Sequence, residues 1–187
     1  MMIGVKGSEP RLFITTVFGR EAVAALEVES TLLDMCPDVV AEYSKRKGIV
    51  VVFSKVCDNP YAMLLRLRSR GASAIRWAIP LRGYIRAQYE DIKKACHEIV
   101  LLYPYPKPIK MVGVCRKRGW YIDSCSRLLR YVGEHLENLG IAEIDFRNYE
   151  HVLRIEIVED TAFLAIYRRH EEKLLRFGSR DLYTQTP

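Results

Sequence analysis

The residues best suited to chemistry are three adjacent cations near the middle of the chain. Arg116, Lys117 and Arg118 follow directly after the apolar stretch MVGVC. Like charges at this spacing repel one another unless negative groups lie between them. Guanidinium and ammonium groups form strong, charge-assisted hydrogen bonds with phosphate oxygens. The run therefore predicts a binding site for a polyanion, with phosphates as the expected counter-charges.

A glycine and two aromatic residues come next and suit an unpaired nucleic acid strand. Gly119 has no side chain, so the backbone there can approach a ligand closely. Trp120 and Tyr121 can stack on an unpaired base. Burial of both rings in a hydrophobic core explains the same residues equally well, and for Trp120 the sequence does not separate the two interpretations.

Two serines then mark the start of a predicted helix. Ser124 and Ser126 flank Cys125, and either hydroxyl can cap the helix or bind a phosphate. The exposed N–H groups of a helix start carry partial positive charge and attract anions. A strand ending at Cys115, an exposed loop carrying the three cations and a helix from Ser124 would together form a phosphate-binding site.

Positive charge is concentrated in two stretches of a chain whose net charge is +6. Residues 59–86 contain six arginines and no acidic residue, and residues 107–130 contain seven basic residues against Asp123 alone. Such blocks favour an anion-binding surface over ordinary solvated faces. The residues predicted to bind RNA are Arg66, Arg68, Arg70, Arg76, Arg82, Arg86, Lys110, Arg116, Lys117, Arg118, Gly119, Ser124, Ser126, Arg127 and Arg130.

The five cysteines have none of the spacings of a metal site or a redox site. No CxxC pair occurs, so neither a zinc ribbon nor a redox motif is predicted. We expect each cysteine to be an unpaired small residue, and their odd number fits the reducing cytoplasm. No cofactor and no metal is expected. The cysteines are Cys36, Cys57, Cys96, Cys115 and Cys125.

The first part of the chain has the pattern of a β-α-β-β-α-β unit, the ferredoxin-like order. Apolar spacing and β-branched runs predict strands, turns and helices in that succession. In the last strand, Arg76, Arg82 and Arg86 alternate with apolar residues, which places them on one face. The predicted elements are a strand over 11–17, a helix over 20–33, strands over 39–43 and 49–53, a helix over 60–70 and a strand over 74–86.

The rest of the chain predicts a second α/β unit, so the fold class is α+β. Its elements are a helix over 89–103, a strand over 109–115, a helix over 124–139, a short strand within 141–146, and a hairpin over 152–158 and 162–167. We expect four segments: an N-terminal tail over 1–10, domains over 11–86 and 87–168, and a charged tail over 169–187. That tail is expected to form a short helix near 171–176 and then to fray. No apolar run approaches the length of a membrane span, so no membrane partner is expected.

Two runs of the sequence resemble a THUMP domain: VGVCRKRGWYIDSCSRLLRYVGEHL and IDFRNYEHVLRIEIVEDTAFLAIYR. Val132-Gly133 matches the family's mid-helix pair, and residues 144–149 match its turn before the closing hairpin, except that Tyr149 replaces the usual proline. The segment FITTVFGRE and the first unit resemble the ferredoxin-like domain that precedes THUMP in many of these proteins. The resemblance covers about residues 11–168.

The resemblance implies binding of tRNA, with the acceptor stem and the unpaired 3′ end as the expected target. No GxGxxG, P-loop or zinc-deaminase signature occurs, and the chain ends soon after the last predicted strand. We therefore expect a non-catalytic, cytoplasmic adaptor, similar to those that help a separate RNA cytidine acetyltransferase make N4-acetylcytidine. The segment RRHEEKLLRFG also resembles the charged segment of those adaptors.

Two alternatives remain open. The chain could bind tRNA for a different modifying enzyme, such as a methyltransferase, a thiouridine synthase or a deaminase. It could instead be a cysteine-dependent enzyme, since Cys125 lies at a basic helix start that favours a thiolate.

Overall fold

The structure is a computed structural model that describes residues 9–178. Most of the N-terminal tail expected over 1–10 and the fraying expected at the C-terminus lie outside that range. Within it, the residues up to Pro80 together with those from Lys173 form one unit, and Leu81–Glu172 form the other. Each unit combines helices with a sheet, so the α+β class is confirmed.

The first unit has the predicted β-α-β-β-α-β order. Its four strands form one antiparallel sheet in the order β2-β3-β1-β4. The central strand β3 is buried along its whole length, as its IVVVFS sequence predicts. The elements are β1 (Glu9–Thr16), α1 (Glu21–Leu32), β2 (Val40–Ser44), β3 (Ile49–Ser54), α2 (Pro60–Arg70) and β4 (Ile75–Pro80).

The strand predicted over 74–86 is wrong in its extent. It breaks after Pro80, and residues Gly83–Arg86 form a separate strand, β5, that pairs with the sheet of the second unit. The break falls where the backbone N–H of Arg82 donates to Leu164 O at 2.8 Å. Apolar alternation continues through the break because both strands bury one face, so the sequence pattern could not reveal it.

The second unit is a five-stranded mixed sheet in the order β5-β9-β8-β6-β7. β6 runs parallel to both β7 and β8, whereas β9 is antiparallel to β5 and β8. The elements after β5 are α3 (Tyr89–Leu102), β6 (Ile109–Arg118), α4 (Cys125–Asn138), β7 (Ala142–Ile144), β8 (His151–Val158) and β9 (Thr161–Arg168). A short helix, α5 (Glu172–Leu175), follows and confirms the helix expected near 171–176.

The core of the second unit lies between α3, α4 and one face of this sheet. Alternate residues of each strand point into it, as the period of two requires. Burying a leucine or isoleucine side chain stabilises the fold by about 1.5–3 kcal/mol. Its fully buried members include Ile92, Cys96, Val100, Leu128, Leu136, Ile155, Ile157, Ala162 and Leu164.

The helices within residues 9–178 include none whose length and apolarity would carry it across a lipid bilayer.

A buried histidine makes the stability of the second unit depend on pH. His151 packs against both Tyr103 and Tyr105, with ring-centroid distances of 5.4 and 4.9 Å, and burial lowers its pKa from the ordinary 6.5. Burial also lowers the pKa of His135. Because the unfolded chain then binds more protons, stability should fall as the pH drops below about 6.5.

We expect His151→Phe to lose less stability between pH 7 and pH 5 than the unaltered protein, as measured by urea unfolding at both values. The variant His170→Gln is the matched control, because His170 is exposed. An equal pH dependence in the His151→Phe variant would show that His151 protonates as readily in the folded as in the unfolded chain.

Candidate nucleic-acid interface

The three adjacent cations lie in a strand and not in a loop. β6 continues through Arg118, and register pairs Arg116 with Glu156, Lys117 with Ile157 and Arg118 with Val158 of β8. The strand predicted to end at Cys115 is therefore too short. The reason is tertiary, because the long and fully buried β8 offers a hydrogen-bonding partner beyond the apolar part of β6.

Lys117 makes hydrogen bonds within the protein. Its Nζ donates hydrogen bonds to the backbone carbonyls of Ile122 and Asp123, at 2.8 and 2.7 Å. These carbonyls lie in the segment that leads into α4. Lys117 therefore holds this segment against the sheet, but carbonyl oxygens do not neutralise its charge, so phosphate binding by Lys117 stays a prediction.

Arg118 also pairs within the protein, with a buried carboxylate. Its guanidinium donates to Glu156 Oε2 at 2.8 Å, and Arg154 Nε donates to Glu156 Oε1 at 2.8 Å. Glu156 and Arg154 are only 1% and 2% exposed. Of the three adjacent cations, Arg116 is exposed and has no ion-pair partner among residues 9–178. Arg118 thus has a counter-charge within the protein, whereas phosphate as the counter-charge of Arg116 and Lys117 stays a prediction.

The aromatic residues after the strand are exposed. Trp120 is 90% and Tyr121 is 61% exposed, so neither belongs to a core. Gly119 has a φ of +150°, and a Cβ there would lie 3.2 Å from the backbone N and Cα of Glu159. The close approach at Gly119 is therefore to the turn between β8 and β9, and it leaves the two rings projecting from the segment that follows.

The start of α4 already holds an anion from the protein itself. Ser124 is the N-cap, and its hydroxyl accepts a hydrogen bond from Arg127 N at 3.2 Å. Asp123 accepts a hydrogen bond from the Tyr89 hydroxyl and pairs with the Arg127 guanidinium at 2.6 Å. The Tyr89 hydrogen bond, followed by backbone and Arg127 contributions, lowers the pKa of Asp123. The predicted capping by Ser124 is confirmed, and phosphate binding by its hydroxyl stays a prediction.

The remaining residues of the second unit that were predicted to bind RNA lie on separate elements. Ser126, Arg127 and Arg130 are exposed on the first half of α4. Lys110 lies near the start of β6, and its Nζ is 3.9 Å from Glu143 Oε1. The structure thus brings together Ser126, Arg127 and Arg130 on one helix, whereas Arg82 and Arg86 are exposed in and beside β5.

Two of the four arginines predicted in the first unit have structural partners there. Arg66 pairs with Asp34. Arg68 donates to the backbone carbonyls of Leu174 and Arg176, at 3.1 and 2.7 Å, and so holds the end of α5. Arg70 and Arg76 are exposed. The high arginine content of this stretch therefore has in part a structural explanation.

Four of the five cysteines form disulfides, so the expectation of unpaired cysteines is wrong. Cys36 is bonded to Cys57, and Cys115 is bonded to Cys125. Cys96 is a buried free cysteine, and burial raises its pKa to about 12. With its sulfur in a disulfide, Cys125 is not the thiolate that the cysteine-dependent alternative requires. The described residues hold no group of three or more His, Cys, Asp or Glu side chains placed to bind a metal.

The sequence did not predict an apolar groove, which lies beside Arg130. It has a volume of about 530 Å³ and is lined by residues that include Leu129, Arg130, Gly133, Ile144 and Phe146. The groove forms beside the turn after the short strand β7, where Phe146 is exposed. The match of residues 144–149 to the THUMP turn is the sequence feature that could have indicated it. Arg154 and Glu156 were also missed, although the alternation in RIEI places both on one face of β8.

Solved structures with the same fold provide the comparison with known proteins. PH1313 from Pyrococcus horikoshii superposes with a TM-score of 0.65 at 15% identity, over 90% of this chain and 55% of that chain. A 4-thiouridine synthetase in complex with RNA and ATP gives a TM-score of 0.60 at 14% identity, over 90% and 42%. TrmN from Thermus thermophilus gives 0.56 at 21% identity, over 83% and 44%. No family model matches the sequence, and no curated protein matches it.

The fold is THUMP-like. At these identities the likeness concerns the fold alone. The chain spans about half the length of the first of these structural neighbours, and less than half of the other two.

Proposed function

We propose that the chain binds tRNA and presents it to a separate modifying enzyme. The observation that carries the proposal is the exposure of Trp120 and Tyr121 on a segment that Lys117 holds in place and that follows closely after the exposed Arg116. Exposed aromatic rings framed by positive charge are typical of proteins that bind unpaired nucleic acid. A 4-thiouridine synthetase with this fold has been solved in complex with RNA, which supports the same assignment.

The contacts divide into stacking and phosphate binding. Trp120 and Tyr121 would stack on bases of the unpaired 3′ end, which every tRNA exposes. Arg116, Arg127 and Arg130 are exposed and would bind phosphates, together with the exposed arginines at positions 70, 76, 82 and 86. Phosphates carry no base identity, so the arginines of either unit would bind different tRNAs similarly, through the shape of the acceptor stem.

The enzyme served by this chain is the finer part of the proposal. We favour an RNA cytidine acetyltransferase that makes N4-acetylcytidine, on the resemblance of the sequence to the adaptors of that enzyme. A thiouridine synthase or a methyltransferase as partner is equally supported, because a 4-thiouridine synthetase and a putative methyltransferase share the fold. A deaminase stays an alternative that rests on the sequence resemblance alone. The domains over 11–86 and 87–168, the absence of catalysis and the cytoplasmic localisation belong to the same proposal.

Removal of the 3′ end tests the function. We expect tRNA trimmed of its single-stranded 3′ nucleotides to bind more weakly than intact tRNA in a filter-binding assay, because stacking on each base contributes about 1–3 kcal/mol. Added to a purified RNA cytidine acetyltransferase with acetyl donor and ATP, the protein should stimulate acetylation of the intact tRNA, and alone it should modify no nucleotide. Equal affinity for both tRNAs would refute the 3′-end contact, and modification by the protein alone would refute the adaptor role.

A further inference from the structure

One edge of β6 is left open by the sheet. β8 pairs with β6 over residues 111–118, whereas β7 pairs with the opposite edge only over 109–111. β7 ends there because the chain turns at Asp145, whose carboxylate accepts hydrogen bonds from Arg147 N and Asn148 N at 2.8 Å each. Within residues 9–178, no strand pairs with this edge of β6 beyond Met111.

The hydrogen bonds at the two ends of β6 show which backbone groups point to the open edge. Met111 O accepts from the first residue after β7 at 3.1 Å, and Arg118 O accepts from the turn after β8 at 3.1 Å. Successive residues of a strand direct their N–H and C=O groups to opposite edges. Gly113 and Cys115 therefore each present a donor and an acceptor to the open edge, and both residues are only half-buried.

The apolar groove described above lies along this edge. Gly113 lines it, as do Leu129 and Gly133 of α4 and Ile144 of β7. A Cβ at Gly113 would lie 2.7 Å from Leu129 Cδ2, so the absence of a side chain there lets α4 pack onto the strand. Phe146 also lines the groove and is 76% exposed. An apolar side chain entering from outside would therefore find apolar surface beside an unpaired strand.

The charged residues of the groove are separated along α4. Ser126 and Arg130 line it from the first half of the helix, and Glu134 and Glu137 line it from the second half. Glu137 also accepts a hydrogen bond from Ile144 N at 3.1 Å, which fixes the end of β7. An acidic side chain would be attracted to the Arg130 end and repelled at the Glu137 end. The groove thus favours a bound segment whose acidic residue lies at the Arg130 end, and this sets the direction of the segment.

We propose that the open edge of β6 docks an extended segment of a partner protein, which adds to the sheet as a strand. Its apolar side chains would enter the groove beneath α4, and an acidic residue would lie at Arg130. The alternating donors and acceptors of the edge match the repeat of a polypeptide, whereas RNA phosphates supply only acceptors, and the groove is largely apolar. The proposal does not depend on stacking of tRNA bases, because Trp120 and Tyr121 are not part of the groove, although Arg130 belongs to both proposed surfaces.

A synthetic peptide tests the docking site directly. We would titrate the isotope-labelled full-length protein with the peptide Asp-Val-Thr-Val-Thr-Val and follow backbone amide resonances by NMR. The resonances of Gly113 and Cys115 are expected to shift. A peptide N-methylated on two valines that face the edge should bind about tenfold more weakly, because two backbone hydrogen bonds are lost.

A charge-reversal variant tests the acidic residue. Arg130→Glu should weaken binding of the same peptide about fivefold, since it replaces attraction by repulsion at the surface. Lys94→Glu is the matched control, because Lys94 is an exposed cation on α3 outside the groove. Equal weakening by both variants would show a general effect of net charge and not an acidic residue at Arg130.

The other outcomes overturn the proposal. Unchanged Gly113 and Cys115 resonances at millimolar peptide would show that the edge does not accept a strand. If tRNA shifts these resonances and the peptide does not, the edge is an RNA surface. If the resonances shift with protein concentration alone, the edge pairs with a second copy of the chain. Filter binding of tRNA is measured separately, so failure of the peptide leaves the proposed function standing, and the reverse also holds.

Discussion

Replacing Glu156 by leucine is expected to lower the free energy of unfolding by about 3–5 kcal/mol. Glu156 is 1% exposed and is the carboxylate that neutralises Arg154, itself 2% exposed, at 2.7–2.8 Å. It also accepts a hydrogen bond from Arg118 at 2.8 Å. Leucine would remove this carboxylate from one buried and one half-buried guanidinium. Urea unfolding monitored by circular dichroism measures the loss.

Two further variants separate the ion pair from the volume of the side chain. Arg154→Met combined with Glu156→Leu removes both buried charges, so the double variant should be more stable than Glu156→Leu alone. Glu150→Leu, at an exposed acid just before β8, should change stability by no more than about 0.5 kcal/mol. If Glu156→Leu lowers the free energy of unfolding no more than Glu150→Leu does, the burial of the Glu156 carboxylate does not make it important for stability.

Replacing Trp120 by alanine is expected to weaken tRNA binding by about five- to 150-fold, the loss of stacking worth about 1–3 kcal/mol. Because Trp120 is 90% exposed, the variant should unfold at the same urea concentration as the unaltered protein. The slope of log affinity against log salt should stay unchanged, since no cation is removed. Filter binding across a salt series gives both quantities.

Phe18→Ala provides the control for this experiment. Phe18 is also an exposed aromatic residue, 70% exposed, but it lies between β1 and α1 of the first unit and has no cation run before it. Its loss should leave tRNA affinity unchanged. If both variants bind tRNA equally well, Trp120 is an exposed ring without a base to stack on, and the proposed 3′-end contact has no support.

Local patterns predicted the elements well because they depend on near neighbours along the chain. Alternation and turn residues placed the strands, and Asn59 and Ser124 cap α2 and α4 as their types suggest. The same patterns did not predict which side of a helix is buried. In α1, Val23 and Leu26 are 40% and 67% exposed, while Ala24 and Ala25 are buried. Small residues allow close packing against a sheet, and only the sheet determines which side that is.

The site was predicted less well because charge partners are tertiary. The run of three cations is evident in the sequence, but its counter-charges depend on β8, about 40 residues further along the chain, and on the register of β6 against it. Disulfide connectivity has the same origin, since Cys115 and Cys125 meet only when a strand and a helix pack together. The sequence shows which segment carries the charges, but it does not show which of those charges have partners within the protein.

The disulfide between Cys115 and Cys125 makes the intervening segment a covalent ring. The Cα atoms of the two cysteines are 5.5 Å apart, and the ring that they close contains Trp120 and Tyr121. A closed ring samples fewer shapes than an open chain, so its aromatic residues lose less freedom when they meet a ligand. Reduction opens the ring without removing a single contact residue. The conformational entropy that Trp120 loses on binding a ligand therefore depends on whether Cys115 and Cys125 are oxidised, although neither sulfur needs to contact that ligand.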